Sequence, residues 1–200
     1  MRMLSWNIQW GRGADGRVDL QRTASAIRAA GEFEVICLQE VACKFAGLAG
    51  GAREDELAFF SAAFPDYTPV FGAGLDVPDG RGARSLFGNL LLSRLAVGQV
   101  FRHMLPAPAD PGVHSMQRVC VEAVLNMARG PLRVLSTHLE YHSQRQRRAQ
   151  VAALRDLQRE AGAQAAAKPP APMAGSSPGF AQWPRPASAI LCGDFNFEPE

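Results

Sequence analysis

The sequence predicts a single α/β domain, and three observations support this fold class. The chain opens with the pattern strand, helix, strand, and several further β-like runs follow it. The composition, with 47% hydrophobic and 20% charged residues among 200, is typical of a globular protein. A chain of this length can bury roughly 70% of the surface that its unfolded form exposes, so a hydrophobic core is available. We therefore predict one domain spanning residues 1–200.

The first elements form a predicted β-α-β unit. Residues 3–8 are mainly apolar and predict a buried strand that runs into the Gly-rich segment 9–13. Asp19 is a candidate N-cap, and apolar residues at helical spacing continue from it to Gly31, which predicts a helix. Residues 33–41 are a second β-rich run, and parallel pairing of the two strands is the simplest expectation for such a unit.

A second helix and further strands are predicted in the middle of the chain. Residues 54–64 carry apolar side chains on one helical face, and residues 67–71 predict a strand. Residues 72–84 are rich in Gly, Asp and Arg and predict a loop. Short or polar connections join the four β-like runs that follow, which predicts antiparallel, meander-like pairing of residues 86–92, 97–101, 119–125 and 132–137.

The last third of the chain combines a helix, a long loop and a strand. Residues 144–160 predict a helix with apolar residues on one face and arginines around the other, which favours a solvated face over a nucleic-acid surface. Residues 162–187 are rich in Pro, Gly and Ala and predict a mobile loop inserted into the domain. Residues 189–192 predict a short buried strand that leads to Asp194 and Asn196.

Charge and cysteine content restrict the function only in part. A formal net charge of +2 neither requires nor excludes a polyanionic partner. The four cysteines lie far apart, so they are expected to be small buried side chains and not a zinc site or a disulfide framework. No stretch approaches the roughly 18 apolar residues of a membrane-spanning helix, and the first residues do not resemble a signal peptide. We therefore expect a monomeric cytoplasmic protein.

Polar side chains follow four of the predicted strands. Asn7 ends the first strand, Glu40 the second and His138 the seventh, while Asp194 and Asn196 end the last. Taken singly, each has a structural alternative, such as a turn residue, a buried histidine or an Asx turn. The carboxyl ends of strands in α/β sheets converge, however, and carboxylate and amide oxygens suit Mg²⁺ or Mn²⁺ better than zinc. Their joint occurrence therefore predicts one shared site for such an ion.

Five motifs occur in order along the chain: Trp6-Asn7-Ile8, Leu38-Gln39-Glu40-Val41, Gly88-Asn89-Leu90-Leu91-Leu92-Ser93-Arg94, Thr137-His138-Leu139 and Gly193-Asp194-Phe195-Asn196. Together they resemble the motifs of the endonuclease/exonuclease/phosphatase superfamily, which includes DNase I and the exonuclease III type of repair endonuclease. The resemblance spans residues 6–196, and the number and order of the motifs make it specific. It implies a DNase I-like four-layer αββα sandwich, with two packed mixed sheets flanked by helices.

The resemblance also implies a role for each matching residue. Glu40 resembles the family's metal-binding glutamate, and Asn7 the asparagine that helps to hold the metal and the phosphate. Asp194 resembles the aspartate that orients or deprotonates the attacking water. Asn196 resembles the asparagine that binds the scissile phosphate, and His138 the histidine that donates to a phosphate oxygen or to the leaving group.

Other polar residues match the family less fully. Arg118 is expected to contact the phosphate and Asn89 to support the site. His114 and Glu140 are candidates to face the same pocket, but a structural role is favoured for both. The implied function is a Mg²⁺- or Mn²⁺-dependent phosphoesterase that hydrolyses phosphodiester bonds by in-line attack of water. Two substrate classes are compatible with this function. One is DNA or RNA, which would bind to a groove with aromatic and basic residues, and the other is a small phosphodiester or phosphomonoester. The groove candidates are Trp10, Arg12, Arg81, Arg84 and Arg118.

The chain departs from the family pattern at its C-terminal side. The resemblance calls for a further aspartate and a Ser-Asp-His segment with an acid-base histidine, and neither follows Asn196. We therefore expect this chain to be the front part of a longer protein, with the C-terminal part of the second lobe missing. The alternative interpretation is a non-catalytic relative that binds phosphorylated ligands, or an inactive truncated fragment.

Overall fold

A computed structural model describes residues 1–168, 177–181 and 183–197. These residues form two four-stranded sheets and three α-helices. Short 3₁₀ helices lie at Gln9–Gly11 and Pro178–Phe180. The strands and α-helices are β1 Met3–Asn7, α1 Leu20–Ala30, β2 Val35–Cys43, α2 Glu56–Ala63, β3 Thr68–Pro78, β4 Arg84–Ser93, β5 Val97–Met104, β6 Val119–Met127, β7 Gly130–His138, α3 Gln144–Ala166 and β8 Ala189–Asp194.

Each sheet mixes parallel and antiparallel pairs. The first sheet has the order β1-β2-β4-β3, and β1 pairs with β2 in parallel, as predicted for the opening β-α-β unit. The second has the order β5-β6-β7-β8, in which β5, β6 and β7 form an antiparallel meander and β8 adds in parallel to β7. The prediction of one continuous meander is wrong at β4, because β2 and β3 occupy both of its edges and β5 must start a second sheet.

The side-chain alternation of the strands builds four layers. Ile36 and Leu38 of β2 pack with α1 and α2 on the outer face of the first sheet. Val35 and Cys37, on the opposite face of the same strand, pack against β6 and β7 of the second sheet. Leu135 of β7 packs with α3 on the far side. The α/β class and the αββα sandwich are therefore confirmed.

Two predicted segment boundaries need correction. Residues 72–84 are not one loop, because β3 continues to Pro78 opposite β4 and leaves only residues 79–83 as the connection. Glycine makes this pairing possible, since a Cβ on Gly88 would overlap the Gly72 carbonyl oxygen. In the predicted loop 162–187, residues 162–166 continue α3, as their alanines favour. Residues 169–176 and 182 lie outside the described residues, so the mobility of this loop stays a prediction.

The last strand is less buried than its sequence predicts. Ile190 is 37% exposed and Leu191 43% exposed, because β7 is the only neighbour of β8 among the described residues. The cysteines are free thiols; three are buried, as predicted, while Cys192 is half-buried. No helix in the described part of the chain has the length and apolar character needed to cross a membrane.

Candidate active site

The carboxyl ends of β1, β2, β7 and β8 border a cleft of about 450 Å³ between the two sheets. Six of the seven residues assigned to the site from sequence line this cleft. The polar strand ends therefore converge, as their positions at the carboxyl ends of strands predict. These six are Asn7, Glu40, Arg118, His138, Asp194 and Asn196. The remaining lining residues are His114, Ser115, Met116, Glu140, Tyr141 and His142.

A break in strand pairing directs Glu40 into the cleft. The register between β2 and β4 shifts between Leu38 and Val41, and Glu40 has a φ of +60° at that point. Such a bulge turns a side chain away from the face that strict alternation would give it. Burial raises the pKa of Glu40, although the Asn7 amide and the charge of Arg118 act in the opposite direction.

Asn7 joins the two carboxylates of the cleft. Its Nδ2 donates to Glu40 Oε1 and to Asp194 Oδ2, at 3.0 Å in each case. Its Oδ1 accepts the backbone N–H of Gln9 at 3.0 Å, which fixes the orientation of the amide. One side chain from β1 thus holds together a carboxylate from each sheet. In this orientation the amide oxygen is engaged by the backbone, so the predicted contact of Asn7 with a metal stays a prediction.

His138 lies between the same carboxylates and contacts Asn196. Its Nδ1 is 3.7 Å from Glu40 Oε1, and its Nε2 is 3.8 Å from Asp194 Oδ2. Asn196 Nδ2 is 2.9 Å from Nε2, which makes this nitrogen an acceptor and leaves the ring proton on Nδ1. Burial, together with the nearby charge of Arg118, lowers the pKa of His138 to about 4, so the ring is neutral at physiological pH.

A tight turn after β8 places Asp194 and Asn196 together. The backbone N–H of Asn196 donates to Asp194 Oδ1 at 3.1 Å, and Asn196 has a φ of +52°, which asparagine tolerates better than most residues. Asn196 Nδ2 also donates to the Leu139 carbonyl oxygen at 2.9 Å. The Asx turn that was the structural alternative for these residues is therefore present, and it orients both side chains towards the cleft.

Arg118 is anchored by Glu140. Its Nε donates to Glu140 Oε2 at 3.2 Å, and both side chains are buried. Burial acts to raise the pKa of Glu140, but the amides of Met116 and His142 and the charge of Arg118 outweigh it and lower the pKa. No hydrogen bond within the described ranges engages the Nη groups of Arg118, so the guanidinium keeps donors for an anion in the cleft.

Asn89 lies behind the cleft. It is buried, and its Nδ2 donates to the Val119 carbonyl oxygen at 2.9 Å, which ties the first sheet to the second. The predicted groove residues other than Arg118 do not line the cleft. Arg84 pairs with Asp76 at 2.7 Å, and Trp10 Nε1 donates to the Ala49 carbonyl oxygen at 3.0 Å.

The sequence interpretation missed one side of the cleft. His114 and Glu140, interpreted as structural residues, both line it, and so do Tyr141 and His142, which were not considered. A usable signal was present, because Glu140, Tyr141 and His142 follow directly on the Thr-His-Leu motif. Residues two to four positions beyond a strand end can reach the same cleft.

The donor set suits a hard divalent ion held by few protein ligands. Among the described residues, no three His, Cys, Asp or Glu side chains converge as a ready metal cage. Two carboxylates do face each other across the Asn7 amide. This fits Mg²⁺, which is commonly bound by one or two carboxylates together with water and substrate phosphate.

Residues 4–200 match the Endonuclease/Exonuclease/phosphatase family. The chain belongs to this family. Endonuclease/exonuclease/phosphatase proteins are generally hydrolases that act on phosphoester bonds. No curated protein matches the chain.

Solved structures of this family share the fold. An endonuclease/exonuclease/phosphatase protein from Beutenbergia cavernae is 27% identical over 78% of the chain, with a TM-score of 0.63. The catalytic domain of human Nocturnin with a bound sulfate anion is 20% identical over 100% of the chain, with a TM-score of 0.61. TDP2 from D. rerio, complexed with a single-strand DNA product, is 15% identical over 100%, with a TM-score of 0.59. The chain covers 43%, 65% and 62% of these three structures, respectively.

Proposed function

We propose that the protein hydrolyses phosphoester bonds, phosphodiesters above all, with the aid of Mg²⁺ or Mn²⁺. One observation carries this proposal: the polar strand ends form a single hydrogen-bonded network. Asn7 Nδ2 is 3.0 Å from the carboxylates of both Glu40 and Asp194, and Asn196 is 2.9 Å from His138. Family membership supports the reaction class, while the metal and the site residues belong to the proposal.

Glu40 is the proposed metal ligand, and Asn7 holds it in place. The pKa of Glu40 is raised by burial, so its carboxylate is poorly solvated and a cation beside it would be favourable. A bound divalent ion would act as a Lewis acid on a phosphoryl oxygen and stabilise the leaving oxygen. The Asn7 amide keeps Glu40 and Asp194 close together in spite of their like charges.

The remaining residues position water and phosphate. The Asp194 side chain is 33% exposed, so it can accept a hydrogen bond from a water molecule and align it for in-line attack. Arg118 donates to phosphoryl oxygens, where negative charge grows in the transition state. Asn196 reaches them when the phosphate displaces one of its two Nδ2 contacts, to His138 Nε2 or to the Leu139 carbonyl oxygen. His138 is neutral near pH 7 because its pKa is about 4. It can therefore donate its ring N–H to a phosphate oxygen, and its charge does not change near neutral pH.

DNA or RNA is among the proposed substrates. Two of the similar structures contain anions: TDP2 is complexed with a single-strand DNA product, and Nocturnin has a bound sulfate. A cleft of about 450 Å³ has the size of a site for one nucleotide or a small phosphoester, so its volume admits either class.

Two substitutions test the proposal. Glu40→Gln and Asp194→Asn remove a negative charge while they keep the side-chain shape, and each is expected to lower Mg²⁺-dependent hydrolysis by about 10²–10⁴-fold. Hydrolysis of a chromogenic phosphodiester by the full natural protein, with and without EDTA, measures the effect. Glu160→Gln and Asp156→Asn, on the exposed face of α3, are matched controls that should retain full activity.

The outcomes separate the competing interpretations. Full activity in Glu40→Gln and Asp194→Asn would contradict the assignment of these two residues. Unimpaired activity in EDTA would contradict the requirement for a metal ion. If inorganic phosphate binds in the cleft but no phosphoester is hydrolysed, the protein is a non-catalytic relative that binds phosphorylated ligands and not an enzyme.

A further inference from the structure

One rim of the cleft is formed by exposed aromatic rings. Tyr141 is 64% exposed, and its ring meets the His142 ring edge to face at a centroid distance of 4.8 Å. His142 in turn meets His114 at 6.4 Å, with the planes at 66°. These three residues, which we name the aromatic rim, all line the cleft that holds Glu40 and Asp194.

The backbone beneath the aromatic rim is held in place. Arg147 Nη1 donates to the carbonyl oxygens of Glu140 and Tyr141, at 2.8 Å each. Glu140 accepts the backbone N–H of His142 at 3.0 Å and that of Met116 at 3.2 Å, so one carboxylate fastens both segments that carry the rings. A fixed backbone under exposed rings lowers the ordering cost of binding a ligand there.

Folding does not account for the exposure of Tyr141. Within the described ranges its hydroxyl makes no hydrogen bond, and its ring is not part of any buried cluster. Large exposed aromatic side chains beside a concave polar site are typical of ligand-binding surfaces. The same Glu140 that holds the rim also holds Arg118, which couples the rings to the proposed phosphate contact.

We infer that the aromatic rim is a stacking platform for the planar group of the substrate, and that the substrate class is therefore nucleotidic. The base of a nucleotide would lie on Tyr141 while its phosphate reaches Arg118 and His138 in the cleft. Stacking on an aromatic ring tolerates any base, because every base has a π-face. This inference rests on the proposed function, since it assigns the substrate of the same site.

Ligand binding to the full natural protein tests the platform. The probes are adenosine 5′-monophosphate and ribose 5-phosphate, which share the sugar phosphate and differ in the base, and titration calorimetry gives each affinity. The wild type is expected to bind the nucleotide more tightly. Tyr141→Ala should weaken nucleotide binding about tenfold and leave ribose 5-phosphate binding unchanged, while Tyr141→Phe should keep both.

A control and a folding check make the result decisive. Trp183→Ala removes an equally exposed ring, 61% exposed, from outside the cleft and should change neither affinity. Thermal unfolding by circular dichroism should show all variants folded, because the Tyr141 ring is on the surface.

The failure of the platform can be told from the failure of the proposed function. Equal wild-type affinities for the two probes, or an equal loss for both in Tyr141→Ala, would overturn the platform while metal-dependent hydrolysis persists. If neither probe binds and no phosphoester is hydrolysed, the proposed function fails and the platform fails with it.

Discussion

Gly193 fixes the position of the proposed catalytic aspartate at the scale of a single residue. It pairs with Thr137 across β7 and β8, its φ is +139°, and a Cβ at this position would overlap the Thr137 carbonyl oxygen. Asp194 follows directly and stands opposite His138 in the same register. The approach of β8 to β7 therefore depends on the absence of a side chain at Gly193.

We expect Gly193→Ala to impair both stability and activity. The strand must shift or adopt a strained backbone, which costs roughly 1–3 kcal/mol, and a displacement of Asp194 of about 1 Å would lower hydrolysis by about 10²-fold. Urea unfolding and the phosphodiester assay measure these effects. Gly162→Ala is the matched control: it lies within α3 with open space around its Cα, so it should stabilise the helix by up to about 1 kcal/mol. Wild-type activity in Gly193→Ala would contradict this account.

Short motifs predict which residues line the cleft better than they predict the geometry of the cleft. Glu40 and Asp194 were assigned from their local motifs, and the cleft contains both. The bulge at Glu40 could not be predicted, because a register shift is set by the partner strand β4. Periodicity does not place Tyr141, because it predicts neither the position of a loop residue nor its exposure. The one signal for Tyr141 is its position shortly after the Thr-His-Leu motif.

At the scale of one element, α2 is attached to β2 through a buried acid. Glu56 lies in the first turn of α2, is 1% exposed, and accepts the backbone N–H of Ala42 through Oε2 at 2.9 Å. Burial raises the pKa of Glu56 from an ordinary 4.5 to about 8, with the Ala42 hydrogen bond acting against the shift. The folded protein therefore holds this proton more tightly than the unfolded chain does.

This linkage predicts the sign of a pH dependence. The pKa of Glu56 is higher in the folded protein than in the unfolded chain. Its contribution to the unfolding free energy is therefore fully present below pH 4.5 and is lost as the pH rises towards about 8. Glu56→Gln keeps an acceptor for Ala42 but has no charge to bury. We expect it to raise the unfolding free energy at pH 8 by on the order of 1–3 kcal/mol and to change it little at pH 4.5. Urea unfolding at pH 4.5 and pH 8 measures the change in unfolding free energy caused by Glu56→Gln. An equal change at the two pH values would refute the predicted pH dependence.

The ends of elements were predicted unevenly, and the reasons are physical. The caps of α1 were readable, because Asp19 accepts the Arg22 N–H and Gly31 ends the helix, and both are local effects. The extension of β3 could not be predicted from local sequence, since residues 72–78 form a strand only by pairing with β4. The burial of β8 was overestimated because an apolar run does not reveal whether a strand has one neighbour or two.

At the scale of the whole molecule, sheet membership was beyond local patterns. Residues 86–92 and 97–101 look alike as β-like runs, yet β4 and β5 belong to different sheets. The four-layer architecture followed from the family resemblance, which carries long-range order that periodicity lacks. The structure adds that the site is assembled across both sheets, with Glu40 from the first and Asp194 from the second.

A buried charged network holds the second sheet to α3 and to the segment before β8. Glu122 of β6 is fully buried and accepts Arg133 Nε at 2.8 Å and Arg185 Nε at 3.1 Å, and its Oε2 is 2.8 Å from His103 Nε2. Arg133 also donates to Gln158 of α3 at 3.0 Å. Burial acts to raise the pKa of Glu122, but hydrogen bonds from His103, Arg185 and Arg133 lower it to about 2.

Glu122→Gln is expected to destabilise the whole domain, because it leaves the buried Arg133 guanidinium without its counter-charge. Breaking such a pair from one side costs about 3–5 kcal/mol at neutral pH. Since the folded pKa of Glu122 is depressed, its stabilisation is present above pH 4.5 and is lost as pH falls towards about 2. The difference in unfolding free energy between the wild type and Glu122→Gln should therefore become smaller as the pH falls. Urea unfolding across this pH range would measure it. Asp156→Asn breaks the exposed pair with Arg159 and should cost less than about 1 kcal/mol. If the difference in unfolding free energy is small at neutral pH, or does not change as the pH falls, Glu122 does not stabilise the domain through its charge.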